Sequence, residues 1–226
     1  EEAITIAKKR QVFVSESIMV GSAKDRRAVI IEVAPDNFGV YEVSDSAYLI
    51  CTNHFQSQRY QQESRNLSQI AEGASVYRHE KLKQLLQQEE KLNPRKMADI
   101  LRNKEGLNGK SIGYGNEKAL NQLLAHHSVI FSPEQKKIWV SSSPYQLGEM
   151  LCYDLNDIFG KQPAPGKLSK SEFNIPRDPF ADAEDFSNYE KFKKVTLKID
   201  SAIRNKTTLD DPLLQNFIKL NPDFWL

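Results

Sequence analysis

The chain has 226 residues, with 31 Lys plus Arg against 30 Asp plus Glu and a formal charge of +1. That balance gives no electrostatic case for binding nucleic acid or an anionic membrane, and no apolar run reaches the length of a membrane span. Only Cys51 and Cys152 are present, both in apolar runs, which predicts two buried thiols and neither a disulfide framework nor a metal centre.

Ala3, Ile4, Ile6 and Ala7 recur at helical spacing, with acidic residues before them and Lys8-Lys9-Arg10 after. This reads as the end of a helix begun upstream, with no signal peptide ahead of it. Val12 to Gly21 alternates as one strand, and Ala23 to Arg27 is a polar hairpin turn. The β-branched run Ala28 to Val33 reads as a buried strand. Pro35, Asp36, Asn37 and Gly39 read as a turn into a second strand, Val40 to Val43. A third apolar run, Tyr48 to Cys51, ends on Thr52-Asn53-His54 and predicts a strand that delivers an amide and an imidazole at its carboxyl end. These short strands with short connections predict an antiparallel sheet.

Residues 56 to 73 are polar and predict a long loop, or a partly ordered one, that covers a site. Ser75 to Gln88 reads as a helix with Val76, Leu82, Leu85 and Leu86 inside and Lys81, Lys83 and Glu89 in water. Pro94 opens a second helix reaching Arg102, with Gly106 as its stop. The four glycines between 106 and 116 predict a flexible loop. Glu117 to His126 fits either a short helix or an extended lead into Ser128 to Phe131. That strand, the turn Pro133 to Lys136 and the strand Lys137 to Ser142 form a hairpin, and Gly148 to Leu155 is a further strand. Prolines and glycines across 160 to 186 predict a crossing segment or linker. Helices follow at Phe186 to Ile203 and Leu213 to Leu220, and either the last five residues dock on the core or the tail is a two-helix appendage.

Few residues carry chemistry unaided. Cys51 and His54 would face opposite sides of a strand, and so would His126 and His127, so neither a thiol–imidazole pair nor a metal site is favoured. Asn53 fits an oxyanion donor or a turn residue, and Arg78 fits a carboxylate ligand or a solvated cation. No phosphate-binding glycine loop follows a predicted strand.

Several stretches, in order, resemble one family. Ile50-Cys51-Thr52-Asn53-His54-Phe55 follows the strand Ala28 to Val33. Ser75-Val76-Tyr77-Arg78 then leads into Leu82 to Leu86. The hairpin with His127-Ser128-Val129-Ile130-Phe131 and Lys137-Ile138-Trp139-Val140, and finally Tyr153-Asp154-Leu155, complete the match. Together they resemble the acyl-coenzyme A:6-aminopenicillanic acid acyltransferase-like hydrolases, cysteine N-terminal-nucleophile enzymes related to the choloylglycine hydrolases, over about residues 1 to 157.

The resemblance implies an α+β fold, part of an αββα sandwich with antiparallel sheets. It implies a domain portion at 1–159 and a linker with a helical tail at 160–226. It also implies self-cleavage that frees an amino-terminal cysteine, whose own amine is the base. That cysteine acylates itself from an amide or thioester and passes the acyl group to water or an amine, with no cofactor. On the matching positions, Asn53 and Arg78 take catalytic roles, and Ser75 and His127 substrate-binding roles.

The nucleophile has no counterpart ahead of the first helix. The chain is therefore expected to be a carboxyl-terminal portion, inactive alone. Its expected partners are the portion carrying the cysteine, a small acyl amide or thioester, and another copy in a homo-oligomer. A secreted or periplasmic setting follows by resemblance only. The rival readings are a non-catalytic binding or scaffold domain of the same fold, and a thiol hydrolase using Cys51 with His54 or His127.

Overall fold

Three β-branched residues at alternate positions of one strand organise the amino-terminal part of the molecule. The computed structural model describes residues 1–44, 46–160 and 168–225. It divides into two compact units, Glu1–Glu89 and Glu90–Leu226, each built on its own three-stranded antiparallel sheet. The fold is therefore α+β.

In the first unit, β1 (Glu16–Ser22), β2 (Arg27–Ala34) and β3 (Asn37–Tyr41) pair in sequence order, with Ile18 opposite Ile31 and Ile31 opposite Val40. Because side chains alternate across a strand, Val29, Ile31 and Val33 share one face. They are buried there under Ala3, Ile4 and Ala7 of α1 (Glu2–Ala7) together with Val12, Val20, Phe38 and Val40. Burying each such side chain contributes about 1.5–3 kcal/mol. Ile30 and Glu32 are fully buried on the opposite face.

Several expectations are corrected in this unit. The first strand starts at Glu16, not Val12, and the turn after β2 is confined to Pro35 and Asp36. Tyr48 to Cys51 forms no strand, so β1 is the third member of the sheet. Residues 56–73 are not a long loop. They hold a 3-10 turn at Gln58–Tyr60 and the helix α2 (Ser64–Glu72), which is capped by the Glu63 carboxylate accepting from the Asn66 backbone N–H at 2.7 Å. The buried anchor of α2 is Asn66, a polar residue that no apolar periodicity marks. The next helix, α3 (Ser75–Gln87), buries Ser75 and Lys81 and exposes Val76, which reverses the expected roles of Lys81 and Val76.

The second unit opens with α4 (Pro94–Leu101), capped by the Asn93 side chain at the Lys96 backbone N–H. The helix stops well before Gly106, at Arg102, a buried residue whose guanidinium donates to the carbonyls of Gln146, Gly148 and Pro176. Then β4 (Val129–Ser132), β5 (Lys137–Ser141) and β6 (Met150–Asp154) form the expected meander. Ser169 and Ile175 bridge to β6. Residues 169 and 175 of the anticipated linker therefore touch the sheet edge, and its residues 161–167 lie outside the described residues. Trp139, Met150, Cys152 and Ile175 close one core with Ala98 of α4. A short helix, α5 (Leu155–Phe159), follows β6.

Residues 117–126 form neither helix nor strand. The Asn116 and Asn121 side chains accept from the backbone N–H groups of Lys118 and Leu123, an alternative to helical bonding. The tail helices α6 (Glu184–Asn205) and α7 (Asp211–Leu220) bury Tyr189, Phe192 and Phe217 with Leu123 and Leu147. The rings of Phe192 and Phe217 stack with centroids 4.5 Å apart, and Phe224 packs beside them.

The glycine loop packs against the carboxyl-terminal turn at Gly113. Gly113 has φ +73°, and a Cβ there would collide with the Phe224 backbone. Gly113→Ala combines a left-handed backbone penalty with a backbone clash, so a loss of about 2–3 kcal/mol is expected in thermal unfolding. Gly21→Ala is the control, since nothing lies within 4 Å of its added methyl. Equal melting temperatures for the two variants would refute the packing of this loop.

Candidate functional site

The stretch Ile50 to Ser57 is shaped by side chains. The Ile50 carbonyl accepts from Gln56 Nε2, and Asn66 brackets Phe55 by accepting from its N–H at 2.8 Å and donating to its carbonyl at 3.0 Å. Glu32 reaches across from β2, and its two carboxylate oxygens accept from the Gln56 N–H at 2.6 Å and the Ser57 N–H at 3.0 Å. These bonds take the place of the ladder that a strand would have made.

That scaffold turns Asn53 outward and His54 inward. Arg78 Nη2, on α3, donates to Asn53 Oδ1 at 2.7 Å. Anchoring the oxygen end leaves the Asn53 amide nitrogen as the donor end. His54 Nδ1 lies 2.9 Å from Ser75 Oγ and 3.2 Å from Thr52 Oγ1, and its ring meets the edge of His79 at 5.9 Å. Burial first, then the neighbouring His79, pushes the His54 pKa below its ordinary value, with Glu32 opposing, so the ring is neutral at neutral pH.

A cavity of about 690 Å³ adjoins this stretch, lined among others by Ser17, Asn37, Cys51, Thr52, Asn53 and Asn66. Asn53 and Arg78 are therefore joined, with Asn53 on a cavity wall. Ser75 is fully buried, and its hydroxyl meets His54 rather than the cavity. His127 belongs to the second unit, where it is exposed just ahead of β4.

Cys51 is half-buried, and burial followed by the nearby Glu32 raises its pKa, against a hydrogen bond from Ser17. Its sulfur points to the Thr52 carbonyl at 3.9 Å, while His54 Nδ1 faces two hydroxyls. A thiol held protonated is a poor nucleophile. Cys152 is fully buried in the second core, and burial raises its pKa as well.

Among the described residues no group of three His, Cys, Asp or Glu is placed to hold a metal ion, and no helix is long and apolar enough to cross a membrane. Sequence reasoning passed over Glu32 and the His54–Ser75 contact. The signal for Glu32 is a single carboxylate inside Val29-Ile30-Ile31-Glu32-Val33, a position that must be buried and so must have partners.

The family model described as acyl-coenzyme A:6-aminopenicillanic acid acyl-transferase matches residues 1–144. Searches of curated proteins and of solved structures gave no match.

Proposed function

Because the chain belongs to the acyl-coenzyme A:6-aminopenicillanic acid acyl-transferase family, we propose that its first unit supplies the oxyanion-stabilising part of a cysteine acyl-transfer site. The substrate is an amide or a thioester. The attacking sulfur comes from a cysteine outside these 226 residues, since Cys51 turns its sulfur to the Thr52 carbonyl and Cys152 is fully buried in the second core. In this reading the chain is the carboxyl-terminal part of the enzyme. The segment bearing the cysteine completes an αββα sandwich after self-cleavage exposes that cysteine as a new amino terminus, whose amine accepts the thiol proton.

The observation that carries the proposal is the Asn53–Arg78 bond beside the cavity. Sulfur attacks the carbonyl carbon, and the carbonyl π electrons move onto oxygen. Asn53 Nδ2 donates to that oxyanion, with Arg78 holding the other end of the amide. Collapse expels the amine or thiol with a proton and leaves a thioester on the cysteine. Water or an amine then attacks the thioester and restores the thiol.

Intact mass and amino-terminal sequencing of the full-length gene product test this. The wild type should split to give a chain led by cysteine, and a precursor with that cysteine replaced by alanine should stay whole. If no cysteine-led chain forms in the wild type, the catalytic assignment is withdrawn and a binding domain of the same family is the better description.

A further inference from the structure

The same two elements that carry Asn53 and Arg78 are joined a second time, one layer deeper. Asn53 and His54 are consecutive, while Ser75 and Arg78 stand three apart on α3, and positions at that spacing lie on one helix face. The outer contact is Arg78 to Asn53 at 2.7 Å, and the inner one is His54 Nδ1 to Ser75 Oγ at 2.9 Å. The outer bond holds the oxygen end of the Asn53 side chain but leaves the backbone of this exposed residue to be held from elsewhere. The inner bond is sheltered, because Ser75 is fully buried and the imidazole is half-buried. A neutral ring serves here because Nδ1 can meet the Ser75 and Thr52 hydroxyls without a buried charge.

We infer that His54 is a positioning residue that fixes the direction of the Asn53 amide by locking its backbone to the first turn of α3 through Ser75. This inference rests on the reading of Asn53 as the oxyanion donor. His54 touches no substrate in this scheme and takes part in no proton transfer. Its effect is geometric: with the inner bond broken, residues 52 to 54 can shift along the helix and carry the Asn53 amide off its aim. Small displacements of a donor carry large rate losses.

The chemistry also says which substitute works. In histidine, Nδ1 is bonded to Cγ, as are the amide oxygen and nitrogen of asparagine, whereas a glutamine carries its polar atoms one bond further out. His54→Asn can therefore reach Ser75 from the Nδ1 position, and His54→Gln cannot without displacing the ring's neighbours.

The test uses the full-length, self-processed protein and 4-nitrophenyl acetate, reading the rate of 4-nitrophenolate release as the cysteine is acylated. His54→Ala is expected to slow acylation about tenfold, the range found for residues coupled through contact. His54→Asn should recover most of that loss, and His54→Gln should not. Ser75→Ala, which cuts the same bond from the helix side, should resemble His54→Ala. In an Asn53→Ala background, His54→Ala should cost nothing further, because the amide it aims is gone. A merely structural role would slow both backgrounds alike. If Asn53→Ala is slow while His54→Ala keeps the wild-type rate, or if the two losses multiply, the inference falls and the proposed function stands. If Asn53→Ala keeps the wild-type rate, the proposed function falls first and this inference with it.

Discussion

Asn53→Ala in the full-length protein should lower kcat by about 10²–10³ with KM little changed, the signature of an interaction made in the transition state. Removing an oxyanion donor has this cost because the developing charge is then met by water that must reorganise. Asn53→Asp is the sharper variant. It keeps the size and offers Arg78 a carboxylate in place of the amide oxygen that accepts at 2.7 Å, so the local fold should persist. It removes the donor, however, and sets a negative charge against the oxyanion, so activity should fall at least as far as in Asn53→Ala. Steady-state kinetics paired with thermal unfolding decide the matter. An Asn53→Asp protein that is both well folded and active would remove Asn53 from the chemistry.

Glu32→Gln should be the most destabilising single-atom exchange in the first unit. The carboxylate is fully buried and accepts from two successive backbone N–H groups, those of Gln56 and Ser57. An amide in its place turns an NH2 toward one of those donors, leaving a buried N–H without an acceptor beside a repulsive contact. Hydrogen bonds to charged acceptors contribute about 1.5–3 kcal/mol each, and stranding the donor adds its desolvation cost, so a loss of about 2–4 kcal/mol is expected. For a chain of this length that corresponds to a fall in Tm of about 5–15 °C. The usual compensation for losing a buried ion pair, replacement of both partners by apolar groups, is closed here because the partners are main-chain. A Tm within a degree or two of wild type would show that Glu32 is not what holds residues 56 and 57.

What could be read from the sequence divides along a physical line. Elements whose stability comes from apolar burial announced themselves by period: β2 with Val29, Ile31 and Val33, the β4–β5 hairpin around Trp139, and α6 and α7 with Phe192 and Phe217. Elements held by side chains bonded to backbone did not. Tyr48 to Cys51 looked like a strand because Ile50 is indeed buried, yet the Ile50 carbonyl is taken by Gln56. The helix α2 was missed because its buried residue is Asn66. The charge of Lys81 points to water, yet the residue is buried.

The candidate site sits where this second kind of bonding is densest. The motif Thr52-Asn53-His54 was visible, and so was Arg78, but that Asn53 meets Arg78 and His54 meets Ser75 depends on a path for residues 50 to 57 that no periodicity encodes. Ser75, which the resemblance matches to a substrate-binding role, is fully buried with its hydroxyl on His54.

The amides of Phe55, Gln56 and Ser57 are bonded to the Asn66 and Glu32 side chains and not to a neighbouring strand. Their exchange with solvent deuterium is thus gated by the excursions of two side chains, while the amides of β2 are gated by the opening of a sheet. The wall of the cavity should therefore open with a free energy of its own, separable from that of the sheet behind it. A ligand that seats against Asn53 should slow exchange at these three amides while leaving those of β2 unchanged.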